Sequence, residues 1–277
     1  MRSISLAYSP CPNDTFIFYA LSNGYIDLEG LGFRIELHDV EHLNQACLDG
    51  QFDVSKISIA ALGRLSGQYR LLRAGNALGR GCGPLIVGQP GASLSELSHA
   101  EITVPGTMTT ANLLLSLYAK RPLQTVSMTF DRIIPAVQRG QYPFGVIIHE
   151  GRFTYQEYGL VQLLDLGQWW EENTGLPIPL GGIVIRRDLG QALAKKVDNL
   201  ISKSLSYAWA HPEATRGYVR QHAQEMSHNV IMNHIHLYVN TYSLDLGQEG
   251  EAAIHTLLSM GAEIGLFPAP PRSLMAY

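Results

Sequence analysis

The sequence predicts an α/β protein built as two lobes around a cleft, and three observations carry that prediction. Short apolar runs alternate with helix-period segments, the pattern of strands interleaved with helices. The composition shifts after residue 88, where a compact α/β block begins and runs to about 182. A chain of 277 residues, 46% hydrophobic, is long enough for one large core or two lobes of ordinary size.

The elements follow in order. Residues 3–9 (SISLAYS) alternate like a buried strand. Pro10 and Pro12 then bracket Cys11, and Asn13 or Asp14 caps a helix over 15–22 that stops at Asn23-Gly24. Residues 33–40 read as a strand and 41–48 as a short helix; 52–59 (FDVSKISI) form a third strand, which runs into a helix over 60–65. Strands over 69–74 and 84–88 are joined by the glycine-rich GNALGRGCG. The middle block gives strands over 100–104, 125–130 and 144–149, with helices over 109–120 and 133–138 between them. Past LPIPLGG comes a strand over 183–187, and then helices over 189–209, 214–225, 227–238 and 248–260. The simplest assembly joins 1–88 with 183–277 as lobe one and leaves 89–182 as lobe two. Two crossings at similar places form a hinge, and hinged lobes close on a ligand.

The formal net charge of -4 gives no footing for nucleic acid or an anionic membrane. No window approaches the roughly 18 apolar residues of a membrane span, and residues 1–20 show no leader pattern. Cys11, Cys47 and Cys82 are widely spaced with no CxxC, which argues against a disulfide framework or a zinc site. The expectation is a cytoplasmic protein without metal, nucleic-acid or membrane partners. Nothing in the sequence sets its oligomeric state.

Ligands of α/β sheets sit beyond the carboxyl ends of strands, and four joints there carry suitable residues. At the first, Pro10 and Pro12 stiffen the loop that presents Asn13 and Asp14, so little entropy is left to lose on binding. At the second, Ser55-Lys56-Ile57-Ser58 offers two hydroxyls and a cation. At the third, the segment 105–110 (PGTMTT) opens a helix; Thr109 and Thr110 add hydroxyls to the free N–H groups, a setting for a carboxylate. The fourth is His149-Glu150 after an apolar strand. Taken singly, each has a plainer reading: a Ser or Thr before a helix is more often an N-cap, a strand-end histidine a structural hydrogen-bonder and Lys56 a solvated lysine.

Other features are weaker. GRGCG lacks a Walker lysine and precedes a strand, although Arg80 is placed to aim a guanidinium at a carboxylate. His234 and His236 fall on different helix faces, which disfavours a shared metal. Cys11 lies at a helix start that would lower its pKa, but with no base assignable to it, packing is favoured.

SPCPNDTFIFYAL (9–21), ALGRGCGPL (77–85), TTANLLLSLYA (109–119), GVIIHEGRFTYQEYGL (145–160) and LDLGQWWEENTGLPIPLGGI (164–183) resemble the 1,4-dihydroxy-6-naphthoate synthases of the futalosine route to menaquinone. The likeness runs through nearly the whole chain. It implies a fold like the type II periplasmic solute-binding proteins and a carbon–carbon lyase reaction without metal or redox cofactor. In that reaction cyclic de-hypoxanthine futalosine becomes 1,4-dihydroxy-6-naphthoate and dihydroxyacetone. By its IIHE context His149 matches the family's catalytic base. Lys56, Ser58, Thr109 and Thr110 match substrate-contacting segments, with Asn13, Asp14 and Arg80 as pocket wall. The chain has Ser55 and Ile59 beside Lys56 and Ser58, and Thr107-Met108 before the Thr pair, where the match is looser. A cytoplasmic sensor of the same fold and a chorismate dehydratase are the competing readings.

Overall fold

Strand pairing sorts the chain into two sheets, each drawing on segments far apart in sequence. The computed structural model describes residues 2–223 and 227–277. In chain order, β1 (Arg2–Tyr8), α1 (Pro12–Ser22), β2 (Leu31–Leu37), α2 (Val40–Leu48), β3 (Val54–Ser58), α3 (Ile59–Leu65), β4 (Tyr69–Leu71) and β5 (Ala77–Gly79) come first. The middle of the chain supplies β6 (Leu85–Gly88), β7 (Ile102–Val104), α4 (Thr110–Tyr118), β8 (Thr125–Ser127), α5 (Phe130–Gln138), β9 (Phe144–Ile147), α6 (Gly151–Thr154), β10 (Val161–Asp165) and α7 (Leu166–Thr174). Last come β11 (Ile178–Arg186), α8 (Gln191–Ala210), α9 (Pro212–His222), α10 (His228–Tyr238), α11 (Thr241–Leu244) and α12 (Gly247–Glu263).

The first sheet runs β2-β1-β3-β11-β4, with β5 also paired to β11. Here β1 is parallel to both neighbours and β11 antiparallel to all of its own. The second sheet runs β10-β6-β9-β7-β8. Because β11 inserts between β3 and β4, the returning chain completes the first sheet and the long α8 packs on α1 beside it.

The chain changes sheet between Gly79 and Leu85 and returns between Asp165 and Ile178. The two crossing segments touch at Gly83 and Gly167, where a Cβ on Gly83 would lie 2.3 Å from the Gly167 Cα. Only glycine allows backbones that close. The Leu166 N–H donates to the Pro84 carbonyl at 2.9 Å in the same place. The strand at residues 85–88 therefore belongs with the second sheet, and β11 begins five residues before the strand that the sequence predicts at 183.

Pro177 and Pro179 explain the late start of that prediction, since prolines read as strand breakers. Pro179 sits where β11 shifts register against β5, a position that needs no donated ladder bond. The glycine-rich connector holds β5 because β11 offers it a partner. The first helix begins at Pro12 rather than near 15, with Cys11 as an N-cap that makes no side-chain capping bond. Proline suits the first helical turn, where its missing N–H costs nothing. Neither Asn13 nor Asp14 is the cap. The helix expected over 214–225 ends at His222, and residues 224–226 lie outside the described part.

The largest apolar cluster spans both sheets: Ile57, Leu71 and Val184 of the first pack in one cluster with Ile86, Val104 and Phe144 of the second. A second cluster lies between β1, α1 and α8, with Tyr8 stacked on Phe18 at 4.4 Å. Among the described residues no helix is long and apolar enough to cross a membrane.

Candidate active site

The carboxyl ends of β3 and β9 and the N-terminal ends of α1 and α4 meet around one cleft, lined by Asn13, Asp14, Lys56, Ser58, Thr109, Thr110 and His149. It holds about 640 Å³ not filled by protein atoms, part of it open to solvent.

Asp14 organises the first wall. Its Oδ2 accepts from the Ser9 backbone N–H at 3.2 Å and the Ser9 hydroxyl at 2.7 Å. Its Oδ1 accepts from Asn13 Nδ2 and from Lys56 Nζ, each at 2.8 Å. Lys56 is buried, contrary to the solvated default, and also reaches the Gly75 carbonyl at 3.3 Å. A buried ammonium needs such a partner, because charge in a low-dielectric interior is costly unless paired. The stiff joint between β1 and α1 thus holds a buried carboxylate against the cation of the next strand.

Ser58 caps the start of α3 without bonding to it, and its backbone N–H donates to Asn44 Oδ1 at 2.8 Å. Asn44 Nδ2 in turn donates to Ser58 Oγ at 3.2 Å, which leaves the hydroxyl hydrogen available to a ligand. The threonines differ. Thr109 donates to the Gly106 carbonyl at 2.7 Å and accepts from Asn112 N–H at 3.3 Å. Thr110 donates to the Leu180 carbonyl at 2.7 Å and accepts from Ala60 N–H at 3.2 Å. Both hydroxyl hydrogens are therefore committed to protein, and Thr110 ties the second sheet's helix to the first sheet. What α4 retains for an anion is the first-turn N–H groups of Thr110 and Ala111, since that of Asn112 already donates to Thr109.

His149 follows β9 with a φ of 54°, in the left-handed region that side chains avoid. Such strain clusters at functional positions, where the surroundings hold it. Phe130 meets the imidazole edge-on at 5.2 Å, and the ring of His234 lies nearly parallel to it at 5.7 Å and 17°. Burial pushes the His149 pKa down to about 4; the Asp14 carboxylate opposes this and the Lys56 ammonium adds to it. The ring is neutral at physiological pH and carries a free lone pair. Among the described residues no protein group hydrogen-bonds to it.

The structure corrects the expectation for Arg80. Its guanidinium is half exposed and bonded to Glu249 at 3.0 Å and the Gly175 carbonyl at 3.1 Å, away from the cleft lining. Neighbouring Cys82 and Pro84 line the cleft instead. Cys11 is buried, and burial pushes its thiol well above the usual range, which agrees with packing.

His234 and Glu41 were not legible as site residues. His234 reaches the cleft wall from α10 through a 3.0 Å contact between its Nε2 and Asn13 Oδ1. The only sequence signal was a histidine inside an apolar helical pattern, which is also the pattern of a core hydrogen-bonder. Glu41 of α2 lies across the start of α4, accepting from the Met108 N–H and the Thr107 hydroxyl at 3.2 Å each. A Cβ on Gly106 would lie 2.4 Å from Glu41 Oε2, so a side chain there would displace the carboxylate.

A family described as "Menaquinone biosynthesis" matches residues 4–263. A Thermus thermophilus protein named 1,4-dihydroxy-6-naphthoate synthase is 48% identical over 274 residues, covering 99% of each chain. A solved Archaeoglobus fulgidus protein superposes with a TM-score of 0.90 at 35% identity, over 96% of this chain and 98% of that one. A Candida albicans protein described as having the generic periplasmic-binding-protein fold matches with a TM-score of 0.68 at 12% identity, over 96% and 92%. The last likeness shows the fold alone. The chain thus has a two-lobed periplasmic-binding-protein-like frame, and it belongs to the menaquinone biosynthesis family.

Proposed function

We propose that the protein is the lyase that converts cyclic de-hypoxanthine futalosine into 1,4-dihydroxy-6-naphthoate, releasing dihydroxyacetone, with His149 as general base. Near-full-length identity to a relative of that name supports the reaction. The observation that carries the residue assignment is the His149 ring itself: neutral, without a protein hydrogen bond among the described residues, and part of the cleft lining.

The chemistry asks little beyond placement. The base takes an acidic C–H proton, the bond to the three-carbon fragment breaks, and formation of an aromatic ring pulls the sequence forward. A positioned base contributes about 10²–10⁴-fold, and orientation in a closed site supplies much of the rest. The substrate's carboxylate is taken by the first turn of α4, and the Ser58 hydroxyl and Lys56 hold its oxygen substituents. Closure of the second sheet's lobe on the first, about the Gly83–Gly167 contact, shuts water out. We place the enzyme in the cytoplasm.

The test is to incubate purified protein with cyclic de-hypoxanthine futalosine and follow the naphthoate by absorbance and mass, beside a His149→Ala sample. Product from the wild type and none from a folded variant supports both reaction and base. Binding without turnover would make the protein a sensor, with His149 a ligand contact.

A further inference from the structure

Behind His149, two buried polar atoms face each other without a hydrogen-bond partner among the described residues. They are His234 Nδ1 and Glu150 Oε2, 4.0 Å apart. Buried polar groups are nearly always bonded, so a facing pair of orphans calls for an explanation.

Hydrogen-bond logic fixes the state of the histidine. Asp14 Oδ1 accepts from Lys56 and from Asn13 Nδ2. The Asn13 amide is therefore oriented with its NH₂ toward the carboxylate, and its Oδ1 is left to accept from His234 Nε2 at 3.0 Å. His234 carries its proton on Nε2, and Nδ1 presents a lone pair to Glu150. An ionised carboxylate there would repel that lone pair, whereas a carboxylic acid donates to it. Burial, the largest influence, and the charge of Asp131 favour the acid form of Glu150, against the opposing pull of its own backbone N–H. Burial keeps His234 uncharged, and so do His149 and Lys56 beside it. Cys11 and Tyr238, whose ring lies 4.6 Å from that of His234, also stand against the pair, and burial holds both in their neutral forms. A movement of about 1 Å turns the 4.0 Å gap into a hydrogen bond.

We propose that His234 and Glu150 are positioning residues for His149: the Glu150 carboxyl donates to His234 Nδ1 when substrate is bound, and the locked His234 ring fixes the face against which the His149 imidazole lies. The inference rests on His149 being the base. It adds a device that holds the ring, running from Lys56 through Asp14, Asn13 and His234 to Glu150.

The test joins ¹⁵N imidazole spectra of the full chain with kcat and KM against pH for wild type, H234F, E150A and E150Q. The expected spectrum shows His234 as the neutral Nε2–H tautomer. H234F keeps a flat ring but not its nitrogens, and its kcat falls about 100-fold with KM little changed, the scale of a misplaced reacting group. E150A loses kcat in the same way, and E150Q, whose amide still donates, restores most of it. The wild type loses kcat on the alkaline side as Glu150 ionises, and E150Q lacks that fall. An Nδ1–H or charged His234, or E150Q as impaired as E150A with an unchanged pH profile, would overturn the proposal. So would wild-type kcat in H234F; if that variant does not fold, the two Glu150 variants and the spectrum decide. A wild type without turnover defeats the reading of His149 as base and the positioning role with it, while the spectrum still judges the tautomer separately.

Discussion

Lys56 on β3 and Asp14 on α1 meet as a fully buried ion pair, Nζ to Oδ1 at 2.8 Å, across a separation of 42 residues in sequence. The pair joins the first two strand-end segments of the cleft. Removing one partner leaves the other charge buried alone, which costs about 3–5 kcal/mol. Lys56→Met is expected to lower unfolding free energy by that amount in urea titrations. If it unfolds like wild type, the pair is not a structural tie.

Thr110 is expected to act through structure rather than through its hydroxyl on the substrate. Thr110→Val leaves Ala60 N–H and the Leu180 carbonyl unpaired. Each orphaned group costs about 1–3 kcal/mol. Denaturation should show the loss, and Thr110→Ser should restore stability and KM together.

Ser58 is the contrasting case, since its hydroxyl hydrogen is not taken by the protein. Ser58→Ala should raise KM about 5-fold, the value of one ordinary hydrogen bond, and also cost the stability of the Asn44 Nδ2 bond that it leaves without its acceptor. Steady-state kinetics beside a melting curve separates the two effects. An unchanged KM would remove Ser58 from the binding set.

The Glu41 contact with Thr107 and Met108 closes α2 onto the start of α4. Charge-assisted bonds of this kind contribute about 1.5–3 kcal/mol when buried and less at a solvent-exposed rim. Glu41→Ala is expected to widen the ligand-free protein in small-angle scattering, with substrate restoring the compact form. Identical scattering from both proteins would show that Glu41 does not hold the cleft shut.

His149 sets the acid limb of activity. Its pKa is lowered from an ordinary 6.5 to about 4 by burial, so the free enzyme keeps its base down to that pH. kcat/KM should therefore fall with a midpoint near 4 rather than near 6.5. The sign for stability follows from linkage. A histidine depressed in the folded state contributes fully above about 6.5 and loses that contribution as pH falls toward 4, because the unfolded chain binds the proton first. A midpoint near 6.5 would mean that the ring is solvated in the working enzyme.

Much of this was readable from residue order. The alternation in SISLAYS gave β1, and Asn23-Gly24 marked the end of α1. The IIHE segment placed His149 at a strand end. β10 and α7 went unread because β10 is a half-exposed edge strand without clean alternation and α7 is largely polar. Arg80 was misplaced because a guanidinium in a glycine-rich loop fits a carboxylate ligand and the Glu249 carboxylate equally well.

The chain's order alone determined the alternation of strands and helices, the strand-end placement of Asn13, Lys56, Ser58 and His149, and the family likeness. Each of these is a local property, carried by periodicity, turn chemistry and short motifs. Only the tertiary structure decided that β11 inserts between β3 and β4, that Asp14 neutralises Lys56, that the threonine hydroxyls are already committed and that His234 lies flat against His149. Apart from the local bonds of Thr109, those pairings join groups from 42 to more than 80 residues apart. They depend on which side chains packing brings within 3 to 6 Å, a quantity that no local pattern encodes.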